Sequence, residues 1–364
     1  TSRAARVRGG SNVPNIEAAL KPRGLTLRHY PQSFSMATLG GMIATRSGGH
    51  FAMLYTHIDD FVESVRTVTP AGVMESRRLP GSGAGPSPDR LIMGSEGSLG
   101  VITEAWMRLQ HRPKFRANAA AMFENFHDAA EAVRAVSQSG LNAANCRLVD
   151  ATECQVNGVN DGSAHLLVLG LESAHLDVEP AMAKGRQLVA DFGGTVDDGD
   201  QAMDAISRWR TAFIRMPFFR EVTVPWGVIC DTFETAITWD QFPNFHRSVI
   251  TATHAAIREA TGADGLVTCR FTHVYPDGPA PYFTFHAKGD RPRMIDQWRI
   301  IKKAASDAVI DHGGTITHHH AVGRDHQPWY KRQRPPLFGA AYSAAKDVLD
   351  PSGIMNPGVL LDRK

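Results

Sequence analysis

The sequence predicts an α+β fold of two domains, and three observations carry that prediction. The chain has 364 residues, and at roughly 100–200 residues per domain that length suits two or three domains. Through the middle of the chain, strand-like segments alternate with amphipathic helical ones, the pattern of an antiparallel sheet with helices on one face. Composition also shifts at Arg112-Pro113-Lys114, where a glycine-dense first third gives way to this alternating region. Hydrophobic residues at 43% and charged residues at 21% exclude a disordered or fibrous chain.

Taken in order, Ala4-Ala5-Arg6-Val7-Arg8-Gly9-Gly10 reads as the end of a strand entering a turn. A helix is expected over 16–20 and a short strand over 25–29. Residues 62–68 and 72–75 alternate around Thr69-Pro70-Ala71 and form a hairpin, and 101–109 form a further strand. Beyond Lys114, helices are expected over 126–136, 177–192, 201–216, 245–260 and 292–310, with strands over 165–171, 227–232, 265–273 and 282–286. The helix over 201–216 carries the apolar stripe Ile206, Trp209, Phe213 and Met216, and Pro217 is expected to stop it. A loop over 315–325, a helix over 338–348 and the run from Asp350-Pro351 to Asn356-Pro357-Gly358 complete the chain.

Charge and cysteine usage exclude several classes. Thirty-nine basic and 37 acidic residues leave a net charge of +2, too even for a nucleic-acid or anionic-membrane footprint, so no nucleic-acid partner is expected. Arg, Asp or His interrupts every apolar run well short of the roughly 18 residues of a membrane span. Cys146, Cys154, Cys230 and Cys269 lie far apart with no C-x-x-C pair, which points to a reducing compartment rather than a disulfide scaffold.

Gly81-Ser82-Gly83-Ala84-Gly85 has the look of a phosphate loop, but Pro86 and Pro88 follow where a helix should begin, and a surface loop is expected. Thr38-Leu39-Gly40-Gly41 and Gly94-Ser95-Glu96-Gly97-Ser98-Leu99-Gly100 are better placed, because small residues and hydroxyls let backbone N–H groups approach an anion. Each alone reads equally well as tight-turn chemistry; together they point to a phosphate-bearing cofactor. His318-His319-His320 invites a metal reading, yet neighbours on an extended chain point to opposite faces. At most His318 and His320 share a side, no Asp or Glu stands nearby in sequence, and no metal is expected. The triplet reads instead as a cationic or proton-handling wall, or as a loop that happens to be rich in histidine.

In Pro281-Tyr282-Phe283-Thr284-Phe285-His286, alternation puts Tyr282, Thr284 and His286 on one face and the phenylalanines on the other. The first face suits a polar cavity or, equally, a solvent-facing cross-strand aromatic. Arg215 near a helix end is explained by the helix dipole, and Arg147 by pairing with a nearby carboxylate.

These motifs resemble the alkyldihydroxyacetonephosphate synthase family, flavoproteins of the vanillyl-alcohol oxidase type, over essentially the whole chain. The most specific are Thr268-Cys269-Arg270 with Tyr282 twelve residues on, and His318-His319-His320-Ala321-Val322-Gly323. The family usually has Gly where Ala321 stands, a departure expected to tighten the backbone slightly. The resemblance implies the second half of a PCMH-type FAD-binding domain at 1–112. It further implies an FAD-linked oxidase C-terminal cap domain at 113–316, with an antiparallel sheet and flanking helices, and a segment at 317–364 that returns to the FAD domain. FAD contacts are implied for Gln32, Ser33, Phe34, Ser35, Met36, Ala37 and Thr38, for Thr45, Arg46, Ser47 and Gly48, and for Glu96, Gly97, Ser98, Leu99, Gly100, Val101 and Ile102.

By the same resemblance Tyr282 is the catalytic tyrosine, His318, His319 and His320 form an activity-critical cluster, and Arg215 and Arg147 bind substrate. The implied reaction exchanges the acyl group of acyl-dihydroxyacetone phosphate for a long-chain alcohol, using FAD without net redox change. Tyr282 would take a C1 proton while that carbon is held covalently on the flavin, the carboxylate leaves and the alkoxide enters. A phenol of reference pKa about 10 needs nearby cations to serve as that base. Arg215 would grip the phosphate in a forked geometry, and Phe218, Phe219, Trp226 and Phe283 would line an alkyl tunnel. An FAD-dependent oxidoreductase of a hydroxy acid or alcohol would share the fold, and a binding module without activity is a third reading. A homodimer in the cytoplasm with peripheral membrane contact is expected. The chain opens on Thr1-Ser2-Arg3, and the family's main pyrophosphate loop lies before the point matching Thr1; if nothing precedes it, the polypeptide should purify without stoichiometric flavin.

Overall fold

Residues 1–55, 57–197 and 199–362 are described in this computed structural model, apart from the side chains of Asp200, Gln201, Ala202, Met203, Ala212, Phe213 and Pro217. They divide into two units: Thr1–Arg112 with His319–Lys364, and Pro113–His318.

The first unit begins with β1 (Ala4–Arg8), α1 (Val13–Leu20) and β2 (Leu25–Thr26). Asn12 caps α1 by accepting the Asn15 N–H at 3.0 Å, and Val13, Ile16 and Leu20 turn one stripe into the core. The strand expected over 25–29 stops at Thr26 because side chains take over its ladder. Glu17 accepts the Leu27 N–H, Thr26 Oγ1 accepts the Arg28 N–H, and Arg28 turns left-handed at φ 58°. Short helices α2 (Leu39–Ala44), α3 (Ala52–Tyr55) and α4 (Ile58–Phe61) lead into the expected hairpin, β3 (Val62–Thr69) and β4 (Gly72–Glu75). Residues 81–85 form an exposed loop, and helix begins only at α5 (Pro88–Ile92). Strands β5 (Val101–Arg108) and β6 (Gln110–His111) follow, giving a four-stranded sheet of order β1-β5-β3-β4 and a small β2-β6 pair.

The second unit runs β7 (Phe115–Phe123), α6 (Phe126–Gln138), β8 (Asn145–Val149), α7 (Ala151–Val156), β9 (His165–Ser173), α8 (Glu179–Asp191) and β10 (Thr195–Asp197). It continues with α9 (Asp200–Thr223), β11 (Val228–Glu234), α10 (Phe242–Thr261), β12 (Leu266–Val274), β13 (Pro279–Lys288) and α11 (Met294–Asp311). The seven strands form one sheet, β10-β7-β9-β8-β12-β13-β11, antiparallel throughout. On the face carrying Phe271, Phe283 and Phe285, aromatic rings interlock with α6 and α10: Phe126 meets Phe271 at 5.7 Å, and Phe283 stacks on Phe233 at 5.0 Å. On the opposite face lie α7 and α9. Helices therefore flank both faces, where the pattern predicted one.

Three sequence expectations need correction. Strands β7, β8 and β10 are absent from the sequence reading, because Ala117, Ala119, Ala120 and Ala121 in β7 are buried on both faces and leave no alternation. The helix over 201–216 runs on to Thr223. The side chains of Phe213 and Pro217 lie outside the described residues. One interior proline removes a single backbone bond, and the helix ends only where Val224-Pro225-Trp226 turns. Phe283, offered as tunnel lining, is fully buried in the aromatic core of the other face. The chain ends with α12 (Gln327–Gln333) and α13 (Pro336–Leu349) in the first unit; among the described residues no helix is long and apolar enough to cross a membrane.

Two predictions follow from buried and strained positions of the first unit. His29 has no exposed surface, sits edge-on to Phe61 and shares a hydrogen bond with Ser47. Burial, with His57 nearby, pushes its pKa down to about 3. The unfolded chain, near 6.5, then binds a proton that the folded unit refuses. The stability is complete above pH about 6.5 and falls below it by up to about 1.4 kcal/mol per pH unit. Urea unfolding of the first unit followed between pH 6.5 and 5 should show that contribution, and His29→Gln should lower the slope, leaving the part that comes from His57, whose pKa burial also lowers. Ala321 has φ 69°, a left-handed position where a Cβ is strained. Ala321→Gly should raise the unit's unfolding free energy by about 0.5–1 kcal/mol, the relief exceeding the added chain entropy.

Candidate active site on the polar face of the seven-stranded sheet

Register decides which side chains meet. Across β12 and β13, Arg270 stands opposite Tyr282 and Thr268 opposite Thr284; across β11 and β13, Glu234 pairs with Tyr282 and Thr232 with Thr284. On the other flank Val149 of β8 faces Arg270, so Arg147, two residues earlier, shares the face. One side of the sheet thus gathers Arg147, Thr232, Glu234, Thr268, Arg270, Tyr282 and Thr284, all buried except the half-buried Thr232.

Tyr282 is 6% exposed, and the Arg270 guanidinium lies 3.8 Å from its ring centroid. Burial pushes the phenol's pKa up; the Arg270 charge and a hydrogen bond with Thr232 pull it back, and Glu234 and Glu153 oppose them. Arg270 has no exposed surface. Its Nη1 donates to Glu153 Oε1 at 2.6 Å, and Met216 Sδ lies 3.2 Å from the same nitrogen. Burial works against its charge, but Glu153 more than compensates and holds the guanidinium protonated. Glu153 also accepts from Thr268 Oγ1 at 3.1 Å.

Local sequence places that carboxylate. Asp150 caps α7 by accepting the Glu153 N–H at 2.6 Å, and its other oxygen accepts the Cys269 N–H. The Asp150 N–H donates in turn to Cys269 O at 3.1 Å. This short helix is bolted to β12 beside Arg270, and Glu153 falls at its N3 position. Burial, with Glu153 beside it, pushes the Asp150 carboxyl up to about 7.

The arginines of the sequence reading part company here. Arg147 is 2% exposed, lies 5.0 Å from the Trp209 ring of α9, and donates from Nε to Asn145 Oδ1 at 3.0 Å. An indole and an amide are therefore among its partners. Burial, then the Arg270 charge, lowers its pKa to about 9. Arg215 is exposed on α9, one residue before the methionine that touches Arg270. His318 closes the polar face: its N–H donates to Glu234 Oε1 at 2.8 Å, its Nδ1 lies 3.7 Å from Glu234 Oε2, and its Nε2 shares a 2.8 Å bond with Tyr275 OH. The acidic neighbour that no nearby sequence offered comes from β11. His319 and His320 belong to the first unit, their rings 4.7 Å apart. Sequence reasoning missed Glu153, Glu234 and Tyr275; the one legible signal was the Asp150-x-x-Glu153 capping pattern after a strand. Among the described residues, Arg270 Nε and Nη2, Thr284 Oγ1 and His286 Nδ1 are buried without a hydrogen-bond partner. A polar face with open valences is suited to a bound polar molecule.

In the first unit, the two glycine segments lie against one another: Gly94 N–H donates to Ile43 O and Glu96 N–H to Ala44 O. Gln32, Ser33, Phe34, Ser35, Met36 and Ala37 make the turns before Thr38, which precedes α2 and bridges to Asn12. Several side chains of the expected FAD set serve the fold. Arg46 pairs with Asp59 at 2.8 Å, Thr45 Oγ1 donates to Gly41 O at 2.9 Å, Ser47 meets His29, and Ser98 shares a bond with Tyr342 OH at 2.8 Å. Leu99 and Ile102 are core, Gly48 and Gly100 are buried and Val101 is exposed. The Glu96 carboxylate accepts the Val322 and Gly323 N–H groups, each at 2.7 Å. The Gly94, Ser95, Glu96 and Ser98 N–H groups donate within the fold, so the segment's contribution narrows to the turn at Glu96-Gly97. Glu96 and Gly97 both have positive φ, and a Cβ at Gly97 would meet nothing within 4 Å. Amides and hydroxyls without a free carboxylate fit a phosphate- and ribityl-bearing cofactor such as FAD.

Comparison with known proteins agrees. Residues 112–360 match the family described as FAD linked oxidases, C-terminal domain, and residues 1–76 match an FAD binding domain. The chain is 27% identical to the alkyldihydroxyacetonephosphate synthase of Dictyostelium discoideum, over 96% of this chain and 60% of that protein. It is also 25% identical to glycolate oxidase subunit GlcD of Bacillus subtilis, over 97% of this chain and 74% of that protein. A solved alkyldihydroxyacetonephosphate synthase structure has a TM-score of 0.79 at 24% identity, covering 98% of this chain and 64% of its own; it shows the shared fold. The chain spans about 60% of the length of the synthase it matches. It belongs to the FAD linked oxidases, with FAD as their cofactor and their C-terminal domain over residues 112–360.

Proposed function

We propose that this chain exchanges the acyl group of acyl-dihydroxyacetone phosphate for a long-chain alcohol, with FAD as cofactor. The observation that carries the reading is Tyr282, a phenol 6% exposed with a guanidinium on its ring, on a sheet face that keeps polar valences open. When bound, FAD supplies an electron-accepting ring for the substrate's reacting carbon. As its phenolate, Tyr282 takes the proton from that carbon and becomes the neutral phenol; the Arg270 cation favours the phenolate that begins the cycle. Glu234 fixes His318 from the side while Tyr275 holds its Nε2, so the imidazole is oriented to pass a proton to the leaving carboxylate or receive one from the alcohol. Arg215, exposed on α9, takes the substrate phosphate with its forked donors.

The substrates are amphiphiles, and the same helix carries an exposed apolar stripe of Ile214, Phe218 and Val222, with Trp226 beyond it at 75% exposure. That stripe supports peripheral membrane contact; a cytoplasmic homodimer is the setting this reading adopts.

The test is turnover in the protein containing this chain, loaded with FAD. Labelled hexadecanol should enter the product as acyl groups leave, and Tyr282→Phe should lower kcat at least about a hundredfold with FAD still bound. Arg215→Lys should raise KM more than it lowers kcat. Bleaching of the flavin by a 2-hydroxy acid, with no alcohol incorporation, would establish an oxidoreductase instead.

A further inference from the structure

The pair Arg270–Glu153 is expensive. Neither group has solvent to repay its desolvation, and two guanidinium nitrogens, Nε and Nη2, are buried without partners. A chain selected only for a stable sheet would place apolar residues at both positions. What the pair achieves is geometric. Arg270 stands directly across from Tyr282 in the ladder, so its planar cation covers the ring, and Glu153 stops it from swinging away. Glu153 is itself fixed from two sides, by Thr268 Oγ1 and by the Asp150 cap that ties α7 to Cys269.

We propose that Arg270, clamped by Glu153, is a positioning residue that holds the Tyr282 ring and stabilises its anionic form. The role of Tyr282 as proton acceptor rests on the function proposed above; the control of its ionisation does not. Every charged or titratable group facing the phenol enters the balance. Arg270 from β12 favours the phenolate; Glu234 from β11 and Glu153 from α7 disfavour it. His318 stands behind Glu234 and His286 further along β13, while α9 presents the uncharged Met216. Arg147 acts at one remove, through Arg270.

Charge bookkeeping gives opposite signs for the two partners, which a purely structural clamp would not. The FAD-loaded protein is labelled at tyrosine Cζ with carbon-13, and the Tyr282 resonance, one of six tyrosines, is assigned by its loss in Tyr282→Phe. Its chemical shift is followed against pH. Arg270→Met should move the midpoint up by at least about one pH unit, a tenfold weaker acid. Arg270→Lys, which keeps charge without the planar stack, should recover part of that shift. Glu153→Gln keeps a hydrogen-bonding group for Arg270 but removes its counter-charge, and should move the midpoint down. Far-ultraviolet circular dichroism verifies that each variant is folded. Midpoints within about 0.3 units of the unaltered protein in folded Arg270→Lys and Glu153→Gln, or an upward shift in Glu153→Gln, would overturn the proposal. Because the titration needs no turnover, opposite shifts without acyl exchange would retain this inference and discard the transferase reading.

Discussion

One buried charge organises the polar face of the seven-stranded sheet. The Arg270 guanidinium has no water, so every neighbour answers to it: Glu153 by an ion pair, Tyr282 by its ring, Met216 by a soft sulfur contact, Arg147 by repulsion. An unpaired cation in that position would cost several kcal/mol, so the elements that deliver its partners cannot drift. This explains why a helix as short as α7 exists at all. Six residues are too few to be stable alone, yet Asp150 holds the helix to β12 through Cys269 at both the N–H and the carbonyl.

The two faces of the sheet divide the labour. On one, Phe126 and Phe242 meet Phe271 edge to face, Phe283 stacks on Phe233, and with Phe285 these rings carry much of the unit's hydrophobic burial. With stability provided there, the opposite face can afford charges, hydroxyls and unfilled valences. Period-2 alternation alone links the two: in β13 the same backbone sends Phe283 and Phe285 to the core and Tyr282 and Thr284 to the polar side. A one-residue slip would exchange the faces, putting phenylalanines where the polar groups meet.

That alternation was legible in the sequence, and so were the hairpin, the long helices of the second unit and the glycine segments that meet in the first. What was not legible has a common cause. Arg270 and Glu153 are separated by 117 positions, and Glu234 reaches His318 across 84; no local pattern records such partners. The run Ala119-Ala120-Ala121 of β7 is buried in succession and breaks its alternation, and α7 is shorter than two turns, so neither shows a clear period. Helix α9 was cut at Pro217 because local propensity argued for a stop, while Trp209 on Arg147 and Met216 on Arg270 anchor the helix to the sheet.

The first unit shows a different economy. Glu96, an apparent cofactor contact by sequence, turns its carboxylate onto the backbone of Val322 and Gly323, and Asn356 Nδ2 donates to Glu96 O at 2.6 Å. A residue in the first third of the chain thereby fastens two segments of its tail. Lys346 does the same from α13, donating to Ser98 O at 2.7 Å and to Asp350 at 2.8 Å. The glycine-rich segment over 94–100 is therefore held both by its side chains and by its Gly94, Ser95, Glu96 and Ser98 N–H groups, which makes the turn at Gly97 rigid. A loop that must present amides to an anion gains from this arrangement, since rigid donors lose less entropy on binding than mobile ones. Fold alone is shared by synthases and oxidases, so the difference in chemistry has to reside in side chains. Among the described residues, Arg270, Tyr282 and Thr284 are buried side chains with such chemistry.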